Sequence, residues 1–134
     1  MEISREEMIA ELCGRHRWSR EQVELGIRAG FKCEYCRRDL LASVDDYDAW
    51  QVDHVFPSSR GGTQGPENKA ISCKTCNFIK RNWIPNGVTP ATANRDEMIA
   101  QARRYIEEQR DERRRRLARI SELAGELMKL SAGG

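Results

Sequence analysis

Cys33-Glu34-Tyr35-Cys36 and Cys73-Lys74-Thr75-Cys76 are the two stretches that decide the fold of this chain. Each stretch separates two cysteines by two residues, a spacing that lets both thiolates reach one ion from a tight turn. Two such pairs complete a tetrahedral site, and four protein thiolates leave no open position for water or substrate. The pattern therefore predicts a structural metal site, with zinc as the expected ion and iron as the alternative.

The segment between the cysteine pairs predicts a hairpin. Val52-Asp53-His54-Val55 predicts a strand that ends at Pro57. Residues 58–66 are rich in serine, glycine and proline and predict a loop. Ala70-Ile71-Ser72 predicts a short return strand, and the second cysteine pair opens a helix that continues through Lys80. The predicted unit is a β-hairpin followed by a helix.

Helical patterns precede this unit. Ser4-Arg5-Glu6-Glu7 and Ser19-Arg20-Glu21-Gln22 are capping-box sequences, so they predict the starts of two short helices. Gly30 predicts the end of the second helix. The apolar residues of that helix, Ile27 among them, are expected to face inward.

The chain after Asn94 predicts one long helix that continues to about Leu130. About 35 helical residues would span roughly 50 Å, more than the core could cover, so much of this helix should project. Its heptad pattern is apolar at both ends and polar around residues 113–116. An apolar row near the far end needs a partner surface. This row comprises Leu117, Ile120, Leu123, Ala124, Leu127 and Leu130.

Composition limits the class of protein. The 134 residues are 39% apolar and 33% charged, which suits one domain with a modest core that a metal site would staple. The 23 basic and 21 acidic residues nearly cancel, so any nucleic-acid surface must be local. No apolar run reaches the length of a membrane span, and the first residues lack the apolar stretch of a signal peptide, so we expect neither. We therefore expect a cytoplasmic, reducing location, where paired cysteines bind metal.

Residues 31–82 resemble the HNH endonucleases, whose ββα-metal fold carries a divalent-ion nuclease site. The residues that carry the resemblance are both cysteine pairs, Asp53-His54, Pro57, Arg60-Gly61-Gly62, Asn68, and Asn77 with Lys80. The resemblance implies an α+β fold, in which a four-cysteine zinc site staples a small nuclease core between N-terminal helices and a long C-terminal helix. The expected segments are a helical one at 1–30, the nuclease domain at 31–90, and an interaction or oligomerisation arm at 91–134.

The resemblance also implies roles for individual residues. In such enzymes the histidine of the Asp-His pair is the general base, which implies His54. The preceding aspartate and the residue after the last cysteine hold the catalytic ion, which implies Asp53 and Asn77. The middle asparagine, here Asn68, braces the loop and helps to orient the histidine. Some members carry histidine in place of Asn77, and asparagine favours an oxygen-only ion site with Mg²⁺ or Mn²⁺.

These roles agree with what hydrolysis of a phosphodiester requires. Histidine can take a proton from water at neutral pH, and a bound cation can stabilise the developing charge and the leaving oxygen. Lys80, Arg60 and Arg81 are the candidate contacts to nucleic-acid phosphates. For Lys80, a solvated surface position is an equal alternative.

The sequence thus predicts a metal-dependent endonuclease that cuts DNA, nicking one strand per site. A homodimer or a partner protein on the C-terminal helix would permit double-strand cleavage. One alternative is a zinc-ribbon-like module that binds nucleic acid or protein without catalysis. Another is a nuclease subunit that is active only with a partner protein. The joint presence of Asp53, His54, Asn68 and Asn77 argues against a pure binding module.

Overall fold

A two-stranded sheet surrounded by five helices forms the part of the chain that the structure, a computed structural model, describes, which is residues 2–133. The elements in chain order are α1 (Arg5–Gly14), α2 (Arg20–Ala29), α3 (Val44–Ala49), β1 (Gln51–His54), β2 (Lys69–Ser72), α4 (Lys74–Lys80) and α5 (Arg95–Gly133). Single 3₁₀ turns lie at Ser58–Arg60 and Pro66–Asn68. The α+β prediction is confirmed.

The hairpin and the helix after it form as the sequence predicted. β1 pairs antiparallel with β2, and Asp53 lies opposite Ala70 while His54 lies opposite Lys69. Because side chains alternate along a strand, Asp53 points into the buried face and His54 points to the other. α4 follows β2 directly, since the Cys73 side chain accepts a hydrogen bond from the Cys76 amide and caps the helix.

Helix α2 begins with a complete capping box and ends at Gly30, whose φ of 66° is left-handed. Leu25 and Ala29 lie on its buried face. The prediction that Ile27 faces inward was wrong, because this side chain is 43% exposed. Two residues along a helix correspond to a rotation of about 200°, so a face that buries Leu25 turns Ile27 outward.

One helix was not predicted. α3 is six residues long and starts at Ser43, whose hydroxyl accepts a hydrogen bond from the Asp46 amide. Less than two turns cannot display a helical period, so the capping residue was the only local signal.

The main core joins α2, the hairpin, α4 and the start of α5. Its fully buried apolar side chains come from α2, both sides of the hairpin, α4 and the first turns of α5. They include Leu25, Val55, Ala70, Ile71, Ile79, Met98, Ile99, Ala102 and Ile106. A smaller cluster of Ile9, Trp18 and Val23 packs α1 against α2. The hairpin is therefore held from both ends of the chain.

Helix α5 runs for 39 residues, which is about 58 Å at about 1.5 Å per residue. The Asn94 side chain accepts a hydrogen bond from the Glu97 amide at its start. Its first turns pack on the core, whereas residues 111–133 are exposed throughout. Among residues 2–133, the helices do not combine the length and apolar content that crossing a membrane requires.

Candidate functional site

The four paired cysteines come together at one point. The Sγ atoms of Cys33, Cys36, Cys73 and Cys76 all lie within 4.8 Å of one another. A turn closed by the hydrogen bond from the Arg37 amide to the Cys33 carbonyl presents the first pair, and the start of α4 presents the second. This donor set and its spacing could hold a zinc ion.

The proximity of the thiols makes the cluster electrostatically suited to a cation. Hydrogen bonds from Cys36, Cys73 and Cys76 lower the pKa of Cys33, so one thiolate forms readily. Contacts with Cys33, Cys36 and Cys73 raise the pKa of Cys76, because a further negative charge among them is unfavourable. A divalent cation removes this conflict by compensating several thiolates at once.

An arginine from the long helix completes the surroundings of the cluster. Nη2 of Arg110 lies 3.3 Å from Cys76 Sγ and 3.6 Å from Cys73 Sγ. A guanidinium at this position donates to thiolate sulfur and offsets its charge. Sequence reasoning missed this residue, because nothing in the helical pattern of α5 distinguishes Arg110 from the arginines around it.

The first cysteine pair also fixes Asp53. Tyr35, which lies between Cys33 and Cys36, donates its hydroxyl to Asp53 Oδ2 at 2.6 Å, and both side chains are buried. Burial and the Asp53 carboxylate raise the pKa of Tyr35 well above its usual value, so the phenol remains a donor. Tyr35 therefore connects the cysteine cluster to a candidate ion ligand.

Lys80 is the second partner of Asp53. Its Nζ lies 3.0 Å from Asp53 Oδ2 and donates to the His54 carbonyl at 3.0 Å. Burial raises the pKa of Asp53 above its usual value, and the Lys80 ammonium and the Tyr35 hydroxyl partly offset this rise. Lys80 is only 2% exposed, so neither the predicted phosphate contact nor the alternative of a solvated lysine agrees with its position.

Three of the candidate catalytic residues meet at one open cleft. Asp53 and His54 from β1 and Asn77 from α4 all line it. His54 Nε2 lies 3.0 Å from Oε1 of Gln64, which is in the loop between β1 and β2. Because an amide oxygen only accepts, this contact puts the proton on Nε2 and leaves a lone pair on Nδ1. Gln64 was not predicted, since its loop offers no regular pattern.

Residues 33–82 match the family model described as HNH endonuclease. This segment therefore resembles an HNH endonuclease domain, and we call it the HNH domain. The matched segment begins at the first cysteine of the cluster and ends two residues after α4, so the HNH domain includes both cysteine pairs, the hairpin and the cleft. The match supports a nuclease type of function and DNA as the partner. No curated protein sequence matches the chain.

Asn68 braces the loop of the HNH domain from outside the cleft. Its Nδ2 donates to the carbonyls of Phe56 at 2.8 Å and Thr63 at 2.9 Å, and its Oδ1 accepts from the Phe56 amide at 2.7 Å. Its own carbonyl accepts from the Val55 amide, next to His54. A side chain with three such contacts fixes the path of the backbone that carries the histidine.

The two remaining candidate phosphate contacts of the HNH domain are exposed. Arg81 lines the cleft, and its guanidinium lies 4.2 Å from the centroid of the Phe78 ring. Arg60 donates to the carbonyl of Asn82, which also lines the cleft. Both cations therefore lie around the rim of the cleft, and their contact with phosphate stays a prediction.

Proposed function

We propose that the HNH domain hydrolyses phosphodiester bonds of DNA with a divalent cation, cutting one strand per site. The observation that carries this proposal is the open cleft that Asp53, His54 and Asn77 line together. A base and two oxygen donors for a cation are the side chains that metal-assisted attack of water on a phosphodiester requires.

His54 acts as the general base in this proposal. The contact between Nε2 and Gln64 holds the imidazole in one tautomer, so Nδ1 is the atom that accepts a proton from water. Asn68 and Lys80 act indirectly, because both hold the peptide unit that follows this histidine: Lys80 donates to the His54 carbonyl, and the Asn68 carbonyl accepts from the Val55 amide. We class both as positioning residues.

Asp53 and Asn77 fit a Mg²⁺ or Mn²⁺ ion. Tyr35 and Lys80 both contact Oδ2 of Asp53, and Oδ1 accepts no hydrogen bond from residues 2–133, so this oxygen is available to a cation. Asn77 adds an amide oxygen. When bound, the ion stabilises the developing negative charge on the phosphate and the leaving oxygen.

Two protein oxygens suit a cation that takes its other ligands from water and from the substrate. The ammonium group of Lys80 beside Asp53 also reduces the attraction of the carboxylate for a cation. The ion is therefore expected to bind weakly to the free protein and more tightly once a DNA phosphate is in the cleft.

The test uses zinc-loaded protein and supercoiled plasmid with Mg²⁺, Mn²⁺ or EDTA, beside a His54→Ala variant. We expect conversion to open circle that requires the cation and is lost in the variant. Zinc content and circular dichroism of the variant serve as the control for folding. Cleavage at the full rate by His54→Ala, or no cleavage by the zinc-loaded protein with either ion, would contradict the proposal.

We also propose that the far end of α5 pairs with a second copy of this chain. The apolar residues Ile120, Leu123, Leu127 and Leu130 are all exposed and follow a seven-residue repeat. Arg113 and Arg116 occupy the same repeat positions closer to the core, so like charges confine the pairing to the last turns. Two paired copies would bring two cleavage sites to one DNA.

A further inference from the structure

We infer that one face of α5 extends the DNA-binding surface of the cleft, with Arg113 and Arg116 contacting backbone phosphates of duplex DNA. The inference rests on the proposed function, because it assigns the path of the DNA that enters the cleft. It concerns only part of the four-arginine run at residues 113–116.

Ion pairs divide this run into two kinds of arginine. Arg114 pairs with Glu107 at 3.2 Å and with Asp111, and Arg115 pairs with Glu112 at 2.8 Å. Within residues 2–133, no acidic side chain forms a salt bridge with Arg113 or Arg116. Two of the four arginines are therefore paired by salt bridges within the helix, whereas Arg113 and Arg116 are not, although Arg116 also exerts a weaker electrostatic effect on Glu112.

The pair without salt bridges begins at the wall of the cleft. The guanidinium of Arg113 lies 5.3 Å from the centroid of the Phe78 ring, and that of Arg81 lies 4.2 Å from the same ring. Phe78 is 50% exposed, follows Asn77 directly and lines the cleft together with Arg81. Arg113 therefore continues the surface that holds the candidate catalytic side chains.

Arg116 carries this surface one turn further along α5. Residues three apart lie on the same side of a helix, and three residues advance it by about 4.5 Å. Arg81, Arg113 and Arg116 thus form a row of cations that leads outward from the cleft. We call these three residues the arginine row.

Backbone phosphates are the ligand that this row fits. A guanidinium binds phosphate oxygens with two parallel hydrogen bonds, and its stacking on Phe78 restrains Arg81 and Arg113 before DNA arrives. Contacts of this kind position a duplex without reading its bases. The arginine row should therefore increase affinity for all sequences equally.

The experiment compares two double variants of the full chain, Arg113→Gln/Arg116→Gln and Arg114→Gln/Arg115→Gln. Both remove two positive charges from neighbouring turns of the same exposed helix segment. Binding of zinc-loaded protein to a short DNA duplex is measured by fluorescence anisotropy over a range of NaCl concentrations, with EDTA at a concentration that leaves the zinc bound and prevents cleavage. We expect the slope of log affinity against log salt to fall by about 2 for the first variant, about 1 per lost phosphate contact, and to change much less for the second.

Equal losses of slope in the two variants would overturn the inference, because the helix would then act only through its total charge. A wild-type slope in Arg113→Gln/Arg116→Gln would overturn it as well. Plasmid cleavage by the wild-type protein is scored separately. If the slopes differ as expected but no plasmid is cut, the role of the arginine row is supported and the proposed hydrolysis is contradicted. If plasmid is cut but the slopes do not differ, hydrolysis is supported and the role of the arginine row is contradicted.

Discussion

Asp53 is the residue at which the cysteine cluster and the cleft are joined. Its carboxylate is buried, and Tyr35 and Lys80 hold one of its oxygens at 2.6 Å and 3.0 Å. Burial of an ionised carboxylate without partners would be strongly unfavourable, and the two contacts partly offset the rise that burial causes in the pKa of Asp53. The availability of one candidate ligand thus depends on two residues outside the cleft.

Replacement of Lys80 by methionine should destabilise the fold by about 3 kcal/mol at neutral pH, because it leaves the Asp53 carboxylate buried without its cation. The pKa of Asp53 is already raised, and loss of Lys80 raises it further. When the folded protein has the higher carboxyl pKa, the protonated group contributes to the free energy of unfolding. This contribution is fully present below the unfolded pKa of about 3.9 and is lost as the pH rises through the folded pKa. The deficit should therefore be larger at pH 8 than at pH 5.

Urea unfolding at the two pH values measures this deficit. Lys74→Met is the matched control, since Lys74 lies on the same helix and is exposed. A deficit for Lys80→Met that is the same at both pH values would show that the lost methylene packing, and not the charge of Asp53, dominates.

Gln64→Leu should slow plasmid cleavage roughly tenfold, because Nε2 of His54 loses the acceptor that fixes its tautomer. Gln64→Glu keeps an acceptor and adds a charge that favours the imidazolium, so its cleavage rate should begin to rise only at higher pH than in the wild type. The pH dependence of the single-turnover rate distinguishes these effects. A wild-type profile in both variants would exclude a role for Gln64.

The sequence motifs predicted the residues that line the cleft but not the residues that contact them. Asp53, His54 and Asn77 could be identified because a short pattern carries them. Tyr35 and Gln64 could not, because their role comes from distances across the fold and not from their spacing in the chain. A buried ion pair between Asp53 and Lys80 is equally invisible before the strand and helix are packed together.

Among the elements, α5 does more than cover the hairpin. Ile99, Ala102 and Ile106 pack on the core, and the next turn brings Arg110 to the sulfur atoms of Cys73 and Cys76. The long helix is therefore attached to the cysteine cluster as well as to the sheet. The sequence predicted its length and its start at Asn94, whereas its contact with the cluster is visible only once the helix is packed on the core.

Arg110→Met should make the cluster release zinc about tenfold faster, because Cys76 and Cys73 lose a charged donor. The rate of zinc transfer to a colorimetric chelator measures this change without reference to activity. Arg114→Met, on the same helix but paired only with exposed carboxylates, is the control. Identical rates in the two variants would mean that Arg110 only packs beside the cluster.

The part of α5 beyond the core carries two surfaces on different turns. Arg113 contacts Phe78 at the wall of the cleft, Arg116 follows one turn further along the helix, and the exposed apolar residues from Ile120 to Leu130 lie further out. Contact with DNA and contact with a second copy are then compatible, because they use different turns of one helix.

Leu123→Glu/Leu127→Glu should abolish pairing of two copies, since it places charges in the apolar row of α5. Sedimentation velocity at several protein concentrations should give a concentration-dependent dimer for the wild type and a monomer for the variant. Nicking by the variant should persist, whereas linear product should be lost. A wild-type protein that stays monomeric at every concentration would contradict pairing of two copies and would mean that the apolar row binds a different partner.

The shared core has a consequence for moving this domain into other proteins. The boundaries of the family match at residues 33–82 omit core residues on both sides, namely Leu25, Ala29, Met98, Ile99, Ala102 and Ile106. A fragment cut at those boundaries would contain the candidate catalytic residues but would expose the apolar face of the hairpin to water. The smallest portable cassette runs from the cap of α2 at Ser19 to just beyond Arg110, nearly twice the length that the motif suggests.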